Sequence, residues 1–366
     1  MKKFYIIAGE SSGELHGSNL IKALRNQDNE TEFRVWGGDR MKEAGAEVVR
    51  DYREMNFMGF SEVLANLSTI LDAIRFCKQD IRDYKPDAVV LIDYPGFNMR
   101  IAKYVKKLGI PVFYYISPQI WAWKKGRVHQ LKKTVDEMFV ILPFEKDFYA
   151  DYDMDVHYVG HPLLDAIEAF NPESSNSSNQ IIALLPGSRM QEVKKMLPIM
   201  LGVVERFPEL NFQVAASSSI PKSTYGEILG TSGVTCSEMS TYQLLSESHA
   251  ALVTSGTATL ETALFQVPQV VCYKGSPISV WLAKRLVNIK YISLVNLILD
   301  QPVVSELIQA DLKADRLESE LNSILAGSGR DQMIDSYADL REKLGGGGAS
   351  ELTASLMLKT LEGTAN

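Results

Sequence analysis

The chain has 366 residues, 46 % of them apolar and 23 % charged, with a net charge of −7. This is ordinary for a soluble globular protein large enough for two domains, and no apolar run reaches membrane-spanning length. Its three cysteines, Cys77, Cys236 and Cys272, are far apart, which argues against a disulfide scaffold or a C-x-x-C zinc site and fits a reducing, cytoplasmic compartment.

Phe4 to Ala8 reads as a first strand. Its apolar run is too short for a secretion signal and ends in Gly9-Glu10. The turn Gly9-Glu10-Ser11-Ser12-Gly13-Glu14 follows, then a helical pattern from Leu15 to Leu24; the glycines and hydroxyls of the turn suit a sugar or phosphate, or simply a capped helix start. Phe33 to Trp36 is a short strand. Phe57, Met58 and Phe60 precede a stripe of Val63, Leu64, Leu67, Ile70, Leu71 and Ile74, which faces either a core or a membrane surface. Ala88 to Ile92 is a continuous apolar strand, and Asp93 stands at its end, in Asp93-Tyr94-Pro95-Gly96-Phe97-Asn98. A carboxylate at that place is a candidate general base, or a turn cap. Arg100 to Lys107 is helical, and Pro111 to Ile116 and Glu137 to Leu142 are strands. Ser117-Pro118-Gln119-Ile120-Trp121-Ala122-Trp123 lies between them beside Lys124, Lys125 and Arg127; its tryptophans suit a sugar, an acyl chain or the core. His161 precedes Pro162 near the end of this half, and the five histidines show no metal-ligand spacing.

The polar run 171–179 is the best linker. Beyond it the alternation resumes, with strands at Ile181 to Leu185, Asn211 to Ala215, Ala250 to Val253 and Gln269 to Tyr273. Two of these strands run into small-residue turns that open helices: Pro186-Gly187-Ser188-Arg189 and Ser255-Gly256-Thr257-Ala258-Thr259-Leu260-Glu261. Such turns present unpaired N–H groups and the positive end of a helix dipole. Arg189 adds a fixed cation suited to phosphate, and Glu261, expected in the first helical turn, could accept from a ribose diol. One such turn alone is most simply a capped loop; two in one α/β half suggest a nucleoside-diphosphate site. Neither is a Walker or G-x-G-x-x-G sequence, which disfavours ATP hydrolysis and dinucleotide binding. Strand–helix alternation on both sides of the linker implies doubly wound parallel sheets. The expected layout is two Rossmann-like domains, 1–168 and 180–344, facing a central cleft, with a final helix within 349–366 folding back across a four-glycine hinge at 345–348.

Charge is uneven. No acid occurs from Tyr94 to Val135, against nine Lys or Arg, and none from Tyr273 to Leu299. Trp281, Leu282, Leu286 and Ile289 with Lys284, Arg285 and Lys290 form a second basic amphipathic candidate. These stretches suggest faces that meet anions, such as nucleic acid or an anionic leaflet, or they are a chance distribution of solvated cations.

The turn 9–14, the block 117–123, Gly160-His161-Pro162-Leu163, Leu185-Pro186-Gly187-Ser188-Arg189 and the run 255–261, in this order and spacing, resemble the lipid-A-disaccharide synthases from residue 4 to the glycine hinge. That resemblance implies a GT-B glycosyltransferase fold and inverting transfer with no metal or cofactor. It implies UDP-2,3-diacylglucosamine as donor, 2,3-diacylglucosamine 1-phosphate as acceptor and a β-1,6-linked disaccharide as product. Asp93 would be the base for the acceptor 6-hydroxyl, Arg189 and the helix start at 256–259 would face the diphosphate, and Glu261 would hold the ribose. The resemblance further implies substrate contacts from Ser11, Ser12, Gly13, Glu14, Asn98, Ser117, Gln119, Trp123, His161, Gly187, Ser188, Ser255, Gly256, Thr257, Ala258, Thr259, Asn296, Glu306 and Gln309. Family members often carry a second acid after the proline near Asp93, where this chain has Gly96; Asp93 is then the single nearby acid. Acylated substrates imply peripheral contact with the inner face of the cytoplasmic membrane through the 63–74 stripe, no nucleic acid, and leave room for an oligomer. Two rival readings are a UDP-N-acetylglucosamine 2-epimerase and a non-catalytic nucleotide-sugar binding module.

Overall fold

The computed structural model describes residues 1–55, 67–172, 180–275 and 290–364. The chain divides into two units, Met1–Asp165 with Gly347–Asn366, and Ala166–Gly346.

The first unit carries a seven-stranded parallel sheet in the order β3-β2-β1-β4-β5-β6-β7. Its strands are β1 (Lys3–Ala8), β2 (Glu32–Gly37), β3 (Glu47–Asp51), β4 (Ala88–Ile92), β5 (Val112–Tyr115), β6 (Glu137–Val140) and β7 (His157–Tyr158). Every residue of β4 and β5 is buried, as a parallel sheet covered on both faces requires. The second unit carries six parallel strands in the order β10-β9-β8-β11-β12-β13. They are β8 (Ile181–Leu185), β9 (Asn211–Val214), β10 (Thr235–Cys236), β11 (Ser248–Thr254), β12 (Gln269–Tyr273) and β13 (Ser305–Ile308).

In each sheet the strand order reverses once, between β1 and β4 and between β8 and β11. Right-handed crossovers send the chain to opposite faces on the two sides of such a point, which leaves a crevice at the carboxyl ends of the two central strands. In the first unit those ends lead to Gly9 and Asp93; in the second they lead to Pro186 and Ser255.

Two expectations shift. The turn after β1 is largely helix: the helix Ser11–Gln27 begins four residues before the apolar periodicity does. The stripe at 63–74 does not act as one surface. In the helix Leu67–Tyr84, Ile74 is buried with Ala73, Cys77 and Ile81, and Ile70 packs against the same core, so neither is available to a membrane. Leu71 and Phe76 are exposed. Val63, Leu64, the Leu67 side chain and the 281–289 segment lie outside the described residues. Among the described residues no helix is long and apolar enough to cross a membrane.

The helix Ala349–Thr364 belongs to the first unit and packs along Ser11–Gln27. Thr353, Ala354 and Met357 are buried in that contact region. Its start is tied down by Asp165, whose carboxylate accepts the backbone N–H groups of Gly348 (2.6 Å), Ala349 (3.2 Å) and Ser350 (3.0 Å). One side chain thus satisfies three donors that a helix start otherwise leaves open. Asp165→Ala is expected to lower the stability of the first unit by about 2 kcal/mol. The check is a denaturant titration with hydrogen exchange on 349–364, and unchanged protection there would contradict it.

Candidate active site

In the first unit the site is built on a strained turn. Asp93 and Tyr94 both adopt left-handed backbone (φ +43° and +47°), as does Ile116 at the end of neighbouring β5 (φ +63°). Such conformations cost non-glycine residues about 1–3 kcal/mol each and persist only where the surroundings enforce them. Asn98 does so from the first turn of the helix Pro95–Lys107: its Nδ2 donates to the carbonyls of Ile92 (3.1 Å) and Asp93 (2.8 Å). The Tyr114 hydroxyl donates to the same Asp93 carbonyl at 2.6 Å. The Asp93 N–H reaches the carbonyls of Tyr115 (3.3 Å) and Ile116 (3.2 Å). Gly9 closes the turn from the β1 side. A Cβ there would lie 2.4 Å from the Tyr94 ring, so only glycine lets the two strand ends meet. Glu10 is close enough that its charge, after burial, raises the Tyr94 pKa.

The remaining candidates of this unit divide by exposure. Ser11, Ser12 and Gln119 are exposed, the two serines in a first helical turn with no side-chain cap. Gly13 is buried, and a Cβ there would meet Ala8 at 3.4 Å, an ordinary contact. Four others are used inside the fold. Asn98 is fully buried and its Nδ2 holds the Asp93 turn, while its Oδ1 has no partner among the described residues. Glu14 is buried and accepts the Arg40 N–H at 3.0 Å. His161 is buried and its Nδ1 accepts the Leu163 N–H at 3.2 Å. Burial, and then the charge of nearby His16, lowers its pKa to about 3, and its Nε2 is buried with no partner among the described residues. Ser117 is buried against Tyr149, its Oγ 2.5 Å from the tyrosine hydroxyl. The Trp123 side chain lies outside the description.

Sequence reading missed Glu145, the centre of the network around Ser117. It is buried, its Oε2 accepts the N–H groups of Ile141 (3.2 Å) and Leu142 (3.0 Å), and Trp121 packs edge-on against neighbouring Phe144. Burial pushes its pKa up to about 7, opposed by the backbone N–H groups of Leu142 and Ile141 and then by Ser117 and Trp121. A lone acid closing an apolar strand, in Leu142-Pro143-Phe144-Glu145, was the available signal.

In the second unit, β8 leads into Pro186 and Gly187, the latter at φ +111° with a would-be Cβ 2.5 Å from Glu192 Oε2. Arg189 stands at the start of the helix Met190–Leu201 and is only partly exposed. It is not an isolated cation: Glu192 accepts its Nη1 at 3.0 Å and its backbone N–H at 3.3 Å. An acid three residues into a helix is the usual reach-back position, and Glu192 occupies it. Ser188 is exposed, and its carbonyl accepts the Ser219 hydroxyl at 3.1 Å.

After β11 the helix Thr257–Leu264 starts at Gly256 with no side-chain cap. Gly256 and Thr257 are exposed and Ala258 half-buried. Thr259 is fully buried and returns its hydroxyl to the Gly256 carbonyl (2.8 Å), so it shapes the turn rather than meeting a ligand. Glu261 lies in the second turn of the helix, not the first. It is half-buried beside Tyr242, whose hydroxyl is 3.4 Å from its Oε1, and burial raises its pKa. Ser255 donates to the Ile292 carbonyl at 2.9 Å. Asn296 and Glu306 hold that same segment. Glu306 accepts the N–H groups of Ile292 and Ser293 (both 2.9 Å) and Asn296 Nδ2 (3.0 Å), and Asn296 also exchanges bonds with the Val304 backbone. They brace the turn that anchors Ser255. Gln309, at φ +56° beyond β13, keeps a buried Nε2 that has no partner among the described residues.

Two parallel-sheet units, each with ligand-ready turns at its point of strand reversal, define the GT-B class of nucleotide-sugar enzymes. Solved structures of that architecture align over the whole chain. A calicheamicin glycosyltransferase superposes with a TM-score of 0.66 at 14 % identity, covering 100 % of both chains. The UDP-GlcNAc 2-epimerase from Neisseria meningitidis, bound to UDP-GlcNAc, gives 0.66 at 14 %, covering 98 % of this chain and 100 % of the other. At that identity they establish the fold alone. The sequence decides the family: the lipid-A-disaccharide synthetase family model matches residues 4–359. The lipid-A-disaccharide synthase of Geobacter sulfurreducens is 38 % identical over 98 % of this chain and 97 % of its own. That of Myxococcus xanthus is 37 % identical over 98 % and 97 %. The chain belongs to the lipid-A-disaccharide synthase family, glycosyltransferases that use a sugar nucleotide and an acceptor.

A buried acid with a raised pKa lowers folded-state stability as pH rises above its ordinary value near 4.5, and the cost is complete above about 7. Relative to Glu145→Gln, wild-type stability is therefore expected to fall by about 3 kcal/mol from pH 4.5 to 7.5 and then level off. Denaturation midpoints of the two proteins across that range check it; a pH-independent difference would refute it.

Proposed function

We propose that the chain transfers 2,3-diacylglucosamine from UDP to the 6-hydroxyl of 2,3-diacylglucosamine 1-phosphate, with Asp93 as general base. The observation that supports this most is the Asp93 turn: an acid at the strand reversal, held in costly left-handed backbone by Asn98 and Tyr114. A carboxylate fixed in this way receives the proton of the attacking hydroxyl as the new C–O bond forms, which inverts the anomeric carbon as UDP departs. Charge then grows on the diphosphate. The uncapped N–H groups at Gly256–Ala258 and the Arg189 guanidinium supply preorganised donors for it. Glu192 limits the freedom of Arg189 and so lowers the reorganisation needed at that moment. Glu261 and Gln309 are assigned to the nucleoside, Ser11, Ser12, Gln119 and Trp123 to the acceptor side.

Acylated substrates place the enzyme at the cytoplasmic face of the inner membrane as a peripheral protein. Leu71 and Phe76, both exposed on the helix Leu67–Tyr84, are the described part of that contact.

With a radiolabelled donor and the monophosphate acceptor, wild type is expected to form disaccharide, whereas an epimerase would convert donor alone and a binding module would do neither. Asp93→Asn is expected to lower kcat by about 10³-fold while UDP affinity by calorimetry stays near wild type; a near-normal rate would remove Asp93 from the base role. Arg189→Ala is expected to weaken UDP binding by about ten-fold, and unaltered UDP binding would dismiss the diphosphate contact.

A further inference from the structure

The buried network around Glu145 has no role in the chemistry above. Glu145 and Tyr149 lie four residues apart on the helix Glu145–Ala150 and so share one face. The 117–123 segment is seated there. Ser117 Oγ lies 2.5 Å from the Tyr149 hydroxyl, and the Trp121 ring meets the Phe144 ring edge-on, with centroids 4.9 Å apart. Glu145 follows Phe144 directly, and its Oε2 ties the helix to the end of β6 through the N–H groups of Ile141 and Leu142. Ser117, Trp121, Glu145 and Tyr149 are all buried, and the Trp121 Nε1 has no partner among the described residues. An indole N–H only donates and an ionised carboxylate only accepts, so an acid suits a seat that carries donors from both the strand end and the segment above it. A glutamine would cap the strand end equally, but it would bring an NH2 donor of its own into the same space. Ser117 and Trp121 both favour the ionised form of Glu145, against its burial.

The seated segment is continuous with the Asp93 turn. Ser117 follows Ile116, whose backbone is left-handed (φ +63°) and whose carbonyl accepts the Asp93 N–H at 3.2 Å. Two residues beyond Ser117 stands Gln119, which is exposed. From this geometry we infer that Glu145 and Tyr149 are positioning residues for the acceptor: through Ser117 they hold the 116–119 backbone so that Gln119 and the Asp93 turn keep a fixed spacing. The inference rests on the acceptor side and the base named under the proposed function. A segment held from below by buried side chains is ordered when the protein folds, so acceptor binding does not have to order it. Neither residue touches substrate on this account, and neither has a part in donor binding.

The test measures initial rates against acceptor and donor separately, with UDP affinity by calorimetry, for Tyr149→Phe, Ser117→Ala, their double variant and Glu145→Gln. Each single variant is expected to raise acceptor KM by about five-fold, with donor KM and UDP affinity unmoved. Tyr149→Phe and Ser117→Ala remove the two ends of one bond, so the double variant is expected to lose no more than either alone. Glu145→Gln keeps a carbonyl oxygen for the Ile141 and Leu142 N–H groups; should it still fail to fold, Tyr149→Phe, which deletes a single oxygen, decides the matter. A wild-type acceptor KM in Tyr149→Phe would overturn the inference while leaving the proposed reaction intact. So would an equal rise in donor KM, or losses that add in the double variant, because the residues would then act as general core packing. If wild type forms no disaccharide, the proposed reaction itself fails and this role falls with it.

Discussion

Everything functional in this molecule depends on a topological constraint of parallel sheets. A chain that winds outward from its first strand and then resumes on the other side must leave a gap at one place. In the first unit that place brings Gly9 against the ring of Tyr94; in the second it is where Pro186–Arg189 and Ser255–Thr259 leave β8 and β11. The chemistry then needs few specialised residues, because main-chain groups with no partner in the sheet are already present. What evolution must add is rigidity. It does so with side-chain amides and carboxylates that bind backbone: Asn98 under the Asp93 turn, Glu306 and Asn296 under the Ser255 anchor, Glu192 under Arg189.

That division of labour explains how the candidate site was legible in the sequence. Motif position was informative: the turns flanking Asp93, Gly187 and Gly256 all fall at strand reversals. Side-chain role was not. Asn98, Ser117, Thr259, Asn296 and Glu306 sit within or near the expected motifs, yet each gives at least one polar atom to the backbone or to a buried group. A residue one shell behind a ligand shares the motif with the residue that touches it, and sequence alone does not separate the two. Burial does, since a buried amide or carboxylate must find its partners within the protein. Glu261 shows a smaller version of the same limit. The helix starts at Thr257, two residues before the pattern from Thr259, which moves Glu261 from the first turn into the second.

The sheets were legible to the extent that their strands were buried on both faces. β4, β8 and the inner part of β11 are continuous apolar runs and stand out at once. β3, β7 and β10 do not: Glu-Val-Val-Arg-Asp, His-Tyr and Thr-Cys lie at or near the margins, where half-solvated pairing puts no demand on hydropathy. The 63–74 stripe stayed ambiguous for a related reason. A helix that covers a sheet and one that dips into lipid carry the same periodicity, and only the partner of Ile74 tells them apart.

The Asp165 cap carries a consequence for biosynthesis. Because the helix Ala349–Thr364 completes the first unit, the part of the chain made first is finished last. Ribosomal synthesis runs through the whole of Ala166–Gly346 before the missing helix emerges, so the second unit can be fully folded while the first still shows the apolar seat of Met357 and Ala354. During that interval the amino-terminal half exposes apolar surface that the finished protein covers. Truncation of the last twenty residues would therefore be felt at the opposite end of the polypeptide.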